Sequence, residues 1–331
     1  MLYVTTRNSR DLSPSLRPLV QDDGPAGGLY VPHDLPALTT GGNFGEQVAQ
    51  LLNGLYLPRL TGAKVDFAIG RSPVRLRAMH HRIAMAECWH NPQWDMDWAA
   101  TELLHQIYPE GKLEKCSEWG RLSVRMAMLA GVLQSIADAG LAGPDSPVDI
   151  AVEAGDFGWP MAAVYLRKMG APIGTIVCAC LDNSALWDLF HRGELRTRDP
   201  AAAGVYRGLE RLVCTCLGQE EAGRYSEICS RRGIYAPAPE QLALLQDHMY
   251  AAVLSTRRVR QLMRSVYHSS GDILTLEAAA AYAGLMDYRA ATADARTSLV
   301  MMEKSPACEA GTVGPALGLT AEQIMTRLDQ T

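Results

Sequence analysis

The sequence predicts an α/β protein with a parallel-sheet core, and three features carry that prediction. First, Val148-Asp149-Ile150-Ala151-Val152 is a short apolar run after the turn-rich Gly143-Pro144-Asp145-Ser146-Pro147, as expected of a buried strand. Second, this run passes through Glu153-Ala154-Gly155-Asp156-Phe157-Gly158-Trp159 into Met161, Val164, Tyr165 and Met169 at helical spacing, and another apolar run, Ile173 to Leu181, closes a βαβ unit. Right-handed crossovers put the glycine loop at the carboxyl edge of the sheet, where such folds hold ligands. Third, the C-terminal third is mainly helical.

Taken in order, residues 1–70 form an N-terminal unit whose best helix, Asn43 to Tyr56, carries Phe44, Val48, Leu51, Leu52 and Leu55 at helical spacing. Residues 71–331 supply the sheet, its helices and the C-terminal part. Ala99 to Tyr108 reads as one helix, Pro109 to Lys115 as a loop, and Leu122 to Ala139 as a buried helix ended by Gly140 and Gly143. Further helices are expected over Val205–Leu217, Glu220–Arg232, Pro239–Leu254 and Leu276–Ala290. A last strand spans Ser298–Met302. Thr320 with Gln323 three residues on announces the closing helix as a capping box, with Leu319 and Leu328 as packing residues.

At 331 residues and 48% hydrophobic, the chain can bury a sizeable core. A formal net charge of -5 with no basic face argues against nucleic acid as a partner. No segment approaches the roughly 20 apolar residues that span a bilayer, so a cytoplasmic protein away from membranes is expected. Its 8 cysteines then belong to a reducing compartment. Cys178 and Cys180 share one strand face and pack as small hydrophobes. No C-x-x-C pair occurs, so no metal site is predicted, even from Cys88, His90 and the His80-His81 pair.

Gly155 and Gly158 permit positive φ and close backbone approach, and the helix that follows aims its unpaired N–H groups at a guest, for which phosphate is the natural choice. Two edits weaken that site. Asp156 adds a negative charge and can cap the helix itself, and Pro160 removes one donor. The same loop also reads as a purely structural turn, or as a degenerate dinucleotide or methyl-donor loop with Asp182 as ribose acceptor.

Several boxes occur in one order along the chain. Tyr3-Val4-Thr5-Thr6-Arg7 and Gly27-Gly28-Leu29-Tyr30-Val31-Pro32 resemble the start of threonine synthases, with their S-T-R-G and D-G-G-L-Y-V-P boxes. Glu87-Cys88-Trp89-His90-Asn91-Pro92 is similar to E-L-F-H-G-P, the glycine loop to T-G-N-F-G, and Met169-Gly170-Ala171-Pro172-Ile173 to M-G-L-P-I. Asp182-Asn183-Ser184 through Gly193-Glu194 resembles N-E-N-D and T-G-E; Ala278–Tyr288 and Ser305-Pro306-Ala307 resemble the D-P-H-T-A helix and A-H-P-A-K turn. The resemblance implies the tryptophan-synthase-beta-like fold of the fold-type II pyridoxal-phosphate enzymes. It also implies that Gly155, Asp156, Phe157, Gly158 and Trp159 cradle the cofactor phosphate.

Departures from the pattern matter equally. Asp97 stands where the resemblance calls for the Schiff-base lysine, and a carboxylate cannot condense with an aldehyde. Ser117-Glu118-Trp119-Gly120-Arg121 already resembles the I-N-W-A-R box, so a segment holding an S-G-D-T-G box, part of one subdomain, is expected to be missing. No cofactor is therefore expected to be bound covalently. Pyridoxal phosphate would need a substitute lysine, and Lys112 and Lys115 are the candidates, which also read as solvated loop residues. Arg71 and Arg75 could take a substrate carboxylate or phosphate, or pair with surface acids. His90 could titrate near neutrality, and reads equally as an imidazole packed beside Trp89 with no catalytic role. Trp89, Trp94 and Trp98 are expected to fill the space a cofactor ring would occupy.

Two function classes follow. One is a noncatalytic threonine synthase-like protein that binds a small anionic metabolite or a protein partner, as a homo-oligomer or otherwise. The other is an active lyase on a phosphorylated amino acid of the O-phosphohomoserine type, or lysine-free chemistry with Asp97 and His90 as acid and base.

Overall fold

The computed structural model describes residues 1–24, 27–39, 41–56, 59–70, 74–80, 82–89, 95–110, 113–199 and 202–330. The N-terminal part carries β1 (Leu2–Thr5), β2 (Asn8–Pro14), α1 (Arg17–Val20), β3 (Tyr30–Pro32), α2 (Phe44–Leu55) and α3 (Gly62–Ile69). Then come β4 (Arg75–Ala78), β5 (Ile83–Glu87), α4 (Met96–Ile107), α5 (Glu118–Asp138), β6 (Val148–Glu153), α6 (Gly158–Lys168), β7 (Ile173–Leu181) and α7 (Ala185–Arg192). The remainder is β8 (Leu195–Arg196), α8 (Ala203–Leu217), α9 (Gln219–Ser230), β9 (Ile234–Tyr235), α10 (Pro239–Gln246), β10 (Met249–Leu254), α11 (Thr256–Ser270), α12 (Leu276–Thr292), β11 (Ser298–Met302), α13 (Ala310–Leu317) and α14 (Ala321–Leu328).

The central sheet has the order β10-β7-β6-β11-β5-β4. Its neighbours are parallel except β4, which runs antiparallel to β5. Alternation along each strand sorts side chains onto two faces. Ile150, Ile176, Cys178, Cys180, Leu299 and Met301 point into a core shared with α2, α5 and α6. Ala151, Val177, Ala179, Val300 and Met302 meet α11, α12 and α13 on the other face. Both faces are thus covered, as an all but wholly parallel sheet requires.

α5 runs through the first core. Ser117 caps it by accepting the Gly120 N–H at 2.9 Å, so the helix starts at Glu118, a turn before the expected Leu122. Trp119, fully buried at its start, meets Tyr3 of β1 and Tyr165 of α6 edge-on at 5.2 and 5.9 Å between ring centroids. Through that aromatic file the N-terminal strands pack into the core of the sheet. The opening Thr6-Arg7 serves the same end. Its hydroxyl and guanidinium donate to buried Glu210 of α8 at 2.5 and 3.1 Å.

One expected element is corrected. Pro239–Leu254 is not a single helix: α10 ends at Gln246, and after His248 at φ 56° the chain becomes β10, an edge strand beside β7. A run of apolar residues a few positions apart fits a helix face and a half-covered strand alike, and only pairing with β7 decides. α11 follows directly and buries Val259, Met263 and Val266.

Candidate functional site

The glycine loop sits at the carboxyl edge of the sheet, between β6 and α6. It lies near the place where connections leave for opposite faces, since α6 covers one face and α12, leading to neighbouring β11, the other. The Ala154 N–H bonds the Ala179 carbonyl of β7 at 2.9 Å, and Phe157, at φ 59°, buries its ring completely. α8 packs on the loop through glycines. A Cβ on Gly208 would strike the Phe157 side chain and come within 2.9 Å of the Asp156 carbonyl oxygen.

Both glycine donors of the loop are already engaged. Gly155 N–H donates to Glu153 Oε2 at 2.7 Å, and Gly158 N–H to Asp156 Oδ1 at 2.8 Å. Arg125 of α5 lies against Gly158 and donates Nη1 to Asp156 Oδ2 at 2.7 Å and Nε to Glu303 Oε2 at 3.0 Å. Trp159 Nε1 donates to that same Glu303 oxygen at 2.5 Å. Burial pushes Glu153 up to about 7, against the pull of the Gly155 N–H. Burial would raise Asp156 as well, but Arg125 and the Gly158 N–H outweigh it and hold this carboxyl below its ordinary range.

Beside the loop opens a cavity of about 500 Å³, walled by Asp97, Lys115, Arg121, Arg125, Val152, Glu153, Gly155, Asp156, Trp159, Glu277, Met301, Glu303 and Lys304. Asp97 stands in the first turn of α4, 3.7 Å from Arg121 Nε, with its side chain 67% exposed. Lys304 Nζ lies 3.2 Å from Glu277 and 3.6 Å from Glu309. Burial would lower this ammonium, but those carboxylates and Glu303 raise it, so it stays charged.

Of the residues the sequence singled out, Asp97, Lys115, Gly155, Asp156 and Trp159 meet at this cavity. Phe157 is core, and Gly158 borders a second cavity. Arg75 turns to Glu87, 2.5 Å away on the adjacent strand, and does not line the cavity. Asp182 accepts the Thr256 N–H at 2.8 Å and bonds the Thr256 hydroxyl, so its carboxylate is committed to the start of α11. Arg71, His90, Trp94 and Lys112 lie outside the described residues. The expected tryptophan filling does not hold for Trp98, which is 48% exposed and does not line the cavity, whereas Trp89 is half-buried. Among the described residues no cluster of three or more potential metal ligands occurs, and no helix is long and apolar enough to cross a membrane.

Sequence reasoning missed Arg125, Glu153, Glu277, Glu303 and Lys304. One of them left a usable signal: Arg125 is four residues after Arg121 and shares its helix face.

The residues present do not fit the phosphate of pyridoxal phosphate at this loop. Glu153 and Asp156 take the Gly155 and Gly158 amides and bring negative charge to the loop, and Pro160 has no N–H to offer.

No family model matches the chain. Over 88 residues, 27% of the chain, it is 33% identical to threonine synthase-like 1 of Homo sapiens and of Macaca fascicularis, and 32% identical to that of Mus musculus. The matched stretch spans only 12% of those relatives' length. In fold it is similar to the pyridoxal-phosphate-bound threonine synthase of Brucella melitensis (TM-score 0.79, 16% identity, 96% of this chain and 92% of that one). It is also similar to the yeast enzyme (0.74, 14%, 96% and 90%) and the Escherichia coli enzyme (0.69, 14%, 98% and 94%). The chain therefore has the threonine synthase fold over nearly its whole length and is threonine synthase-like in sequence over a shorter stretch.

Proposed function

We propose that the chain is a threonine synthase-like protein without Schiff-base catalysis, which holds a small anionic metabolite noncovalently in the cavity beside Gly155. The observation that carries this reading is the occupation of the Gly155 and Gly158 amides by the chain's own Glu153 and Asp156. With those donors spent, an anionic group in the cavity has Lys115, Arg121 and Lys304 as partners. The same wall presents Asp97, Glu277 and Glu303, which favour a ligand that also bears an ammonium, as an amino acid does. Lys304, kept charged by Glu277 and Glu309, serves as an anchor and not as a nucleophile.

The second reading, an active lyase on an O-phosphohomoserine-type substrate, draws on Lys115 and Lys304 as lysines at the cavity. Calorimetric titration with a panel of amino acids and their phosphorylated forms tests the first reading. Saturable binding that Lys304→Met weakens at least tenfold is expected. Binding indifferent to Lys304→Met, or no binding by any member of the panel, would refute it.

A further inference from the structure

The net charge of -5 hides a basic face on α11. This helix, Thr256–Ser270, contains four arginines and one histidine but no acidic residue. Its apolar side chains Val259, Met263 and Val266 are buried in the core that covers one face of the sheet. Helical spacing puts Arg257, Arg260, Arg264 and His268 together on the opposite side, and all four are exposed. The stripe runs about 16 Å along the helix.

These arginines are not spent on neighbouring acids. Arg258, at the flank of the stripe, gives both of its Nη groups to Asp287 at 2.7 and 2.5 Å. Among the described residues, by contrast, no carboxylate lies within 4 Å of Arg257, Arg260, Arg264 or Arg327 of α14. Arg260 pulls on Asp182, but that carboxylate already accepts the Thr256 N–H and hydroxyl. Two contacts steady the stripe without neutralising it. Arg264 donates Nε to the Ala316 carbonyl near the end of α13 at 2.7 Å, and Arg327 stacks over the Tyr267 ring at 5.2 Å. Both contacts leave Nη groups for a carboxylate, whose two oxygens match the guanidinium fork.

We propose that this face of α11, together with Arg327, docks an acidic helix of another protein. A helix with carboxylates three and four residues apart along one side meets the successive arginines in register. Other occupants suit the face less well. Membrane-surface helices pair a basic face with an apolar one that enters the lipid, and the apolar side of α11 is built into the core. Duplex nucleic acid presents one charge per about 1.7 Å, which a single narrow stripe on an acidic chain matches poorly. A small anion would stay in water on this exposed surface. The stripe faces away from the sheet, so the inference does not rest on the amino-acid cavity.

The test uses the intact chain and, as probe, a labelled alanine-based helical peptide of about 15 residues with glutamates along one side. Fluorescence anisotropy at physiological ionic strength should show saturable binding. Replacing both exposed arginines, Arg257→Gln with Arg260→Gln, should weaken it by about tenfold or more. Arg10→Gln with Arg232→Gln removes the same charge from exposed sites elsewhere and should leave affinity within about twofold of wild type. A peptide of equal composition with its glutamates spread around the helix should bind more weakly. Four outcomes would each overturn the proposal: equal loss in the two double variants, which would reduce the attraction to net charge; equal binding of the two peptides; no binding of the one-sided peptide; or tighter binding of duplex DNA or phosphatidylserine vesicles than of that peptide.

Discussion

Glu153→Gln isolates the electrostatics of the loop. Burial raises this carboxyl from 4.5 to about 7, so the folded protein holds its proton more tightly than the unfolded chain does. A raised folded value means that the stabilisation from the bound proton is complete below pH 4.5 and is lost as pH rises to about 7. At about 1.4 kcal/mol per pH unit the loss approaches roughly 3 kcal/mol, and because the carboxyl borders an open cavity, about 1–3 kcal/mol is expected. Glutamine is nearly isosteric, does not titrate, and can still accept the Gly155 N–H. The stability of Glu153→Gln relative to wild type should therefore climb between pH 4.5 and 7 and level off above it. Urea unfolding followed by tryptophan fluorescence at a series of pH values reads the difference directly. A flat difference across that range, or one that climbs as pH falls, would refute the account of Glu153.

Other expectations concern the same neighbourhood. Asp97→Lys should release no phosphate from O-phosphohomoserine, since Glu153 and Asp156 still hold the loop amides and a lysine alone positions neither cofactor nor substrate; measurable release would count against this. Gly208→Val forces a branched side chain onto Phe157 and the Asp156 carbonyl, and denaturant titration should register a loss of about 1–3 kcal/mol. Glu210→Gln weakens the buried partner of Thr6 and Arg7; a loss of about 1–3 kcal/mol is expected, and Arg7→Gln in the same background should add little.

What the sequence made legible was local. The β6–loop–α6–β7 unit has sharp punctuation in Pro147, Gly155, Gly158 and Gly170, and its boundaries match the structure within a residue or so. The α/β class and the threonine synthase likeness follow from it and from boxes kept in order. The closing capping box is present as read, with Thr320 and Gln323 bonding reciprocally at α14. Less legible was whatever depends on partners far along the chain. β10 is a strand because it finds β7, and no feature of Met249–Leu254 alone excludes a helix. Thr6-Arg7 was read from the resemblance, yet in this chain its side chains meet Glu210, more than 200 residues away. Lys304 was passed over because a lysine after a strand carries no local mark of a site. It becomes visible only when β11 is known to lie beside β6, with both carboxyl ends opening on one cavity.

The central claim, that this loop and its neighbours have given up covalent cofactor chemistry, is tested most directly by incubating the purified chain with pyridoxal phosphate, reducing with borohydride and mapping the peptides by mass spectrometry. The account predicts no visible absorbance of a protein Schiff base and no site-specific pyridoxyl group. A stoichiometric pyridoxyl-lysine at Lys304, Lys115 or Lys112 would contradict it.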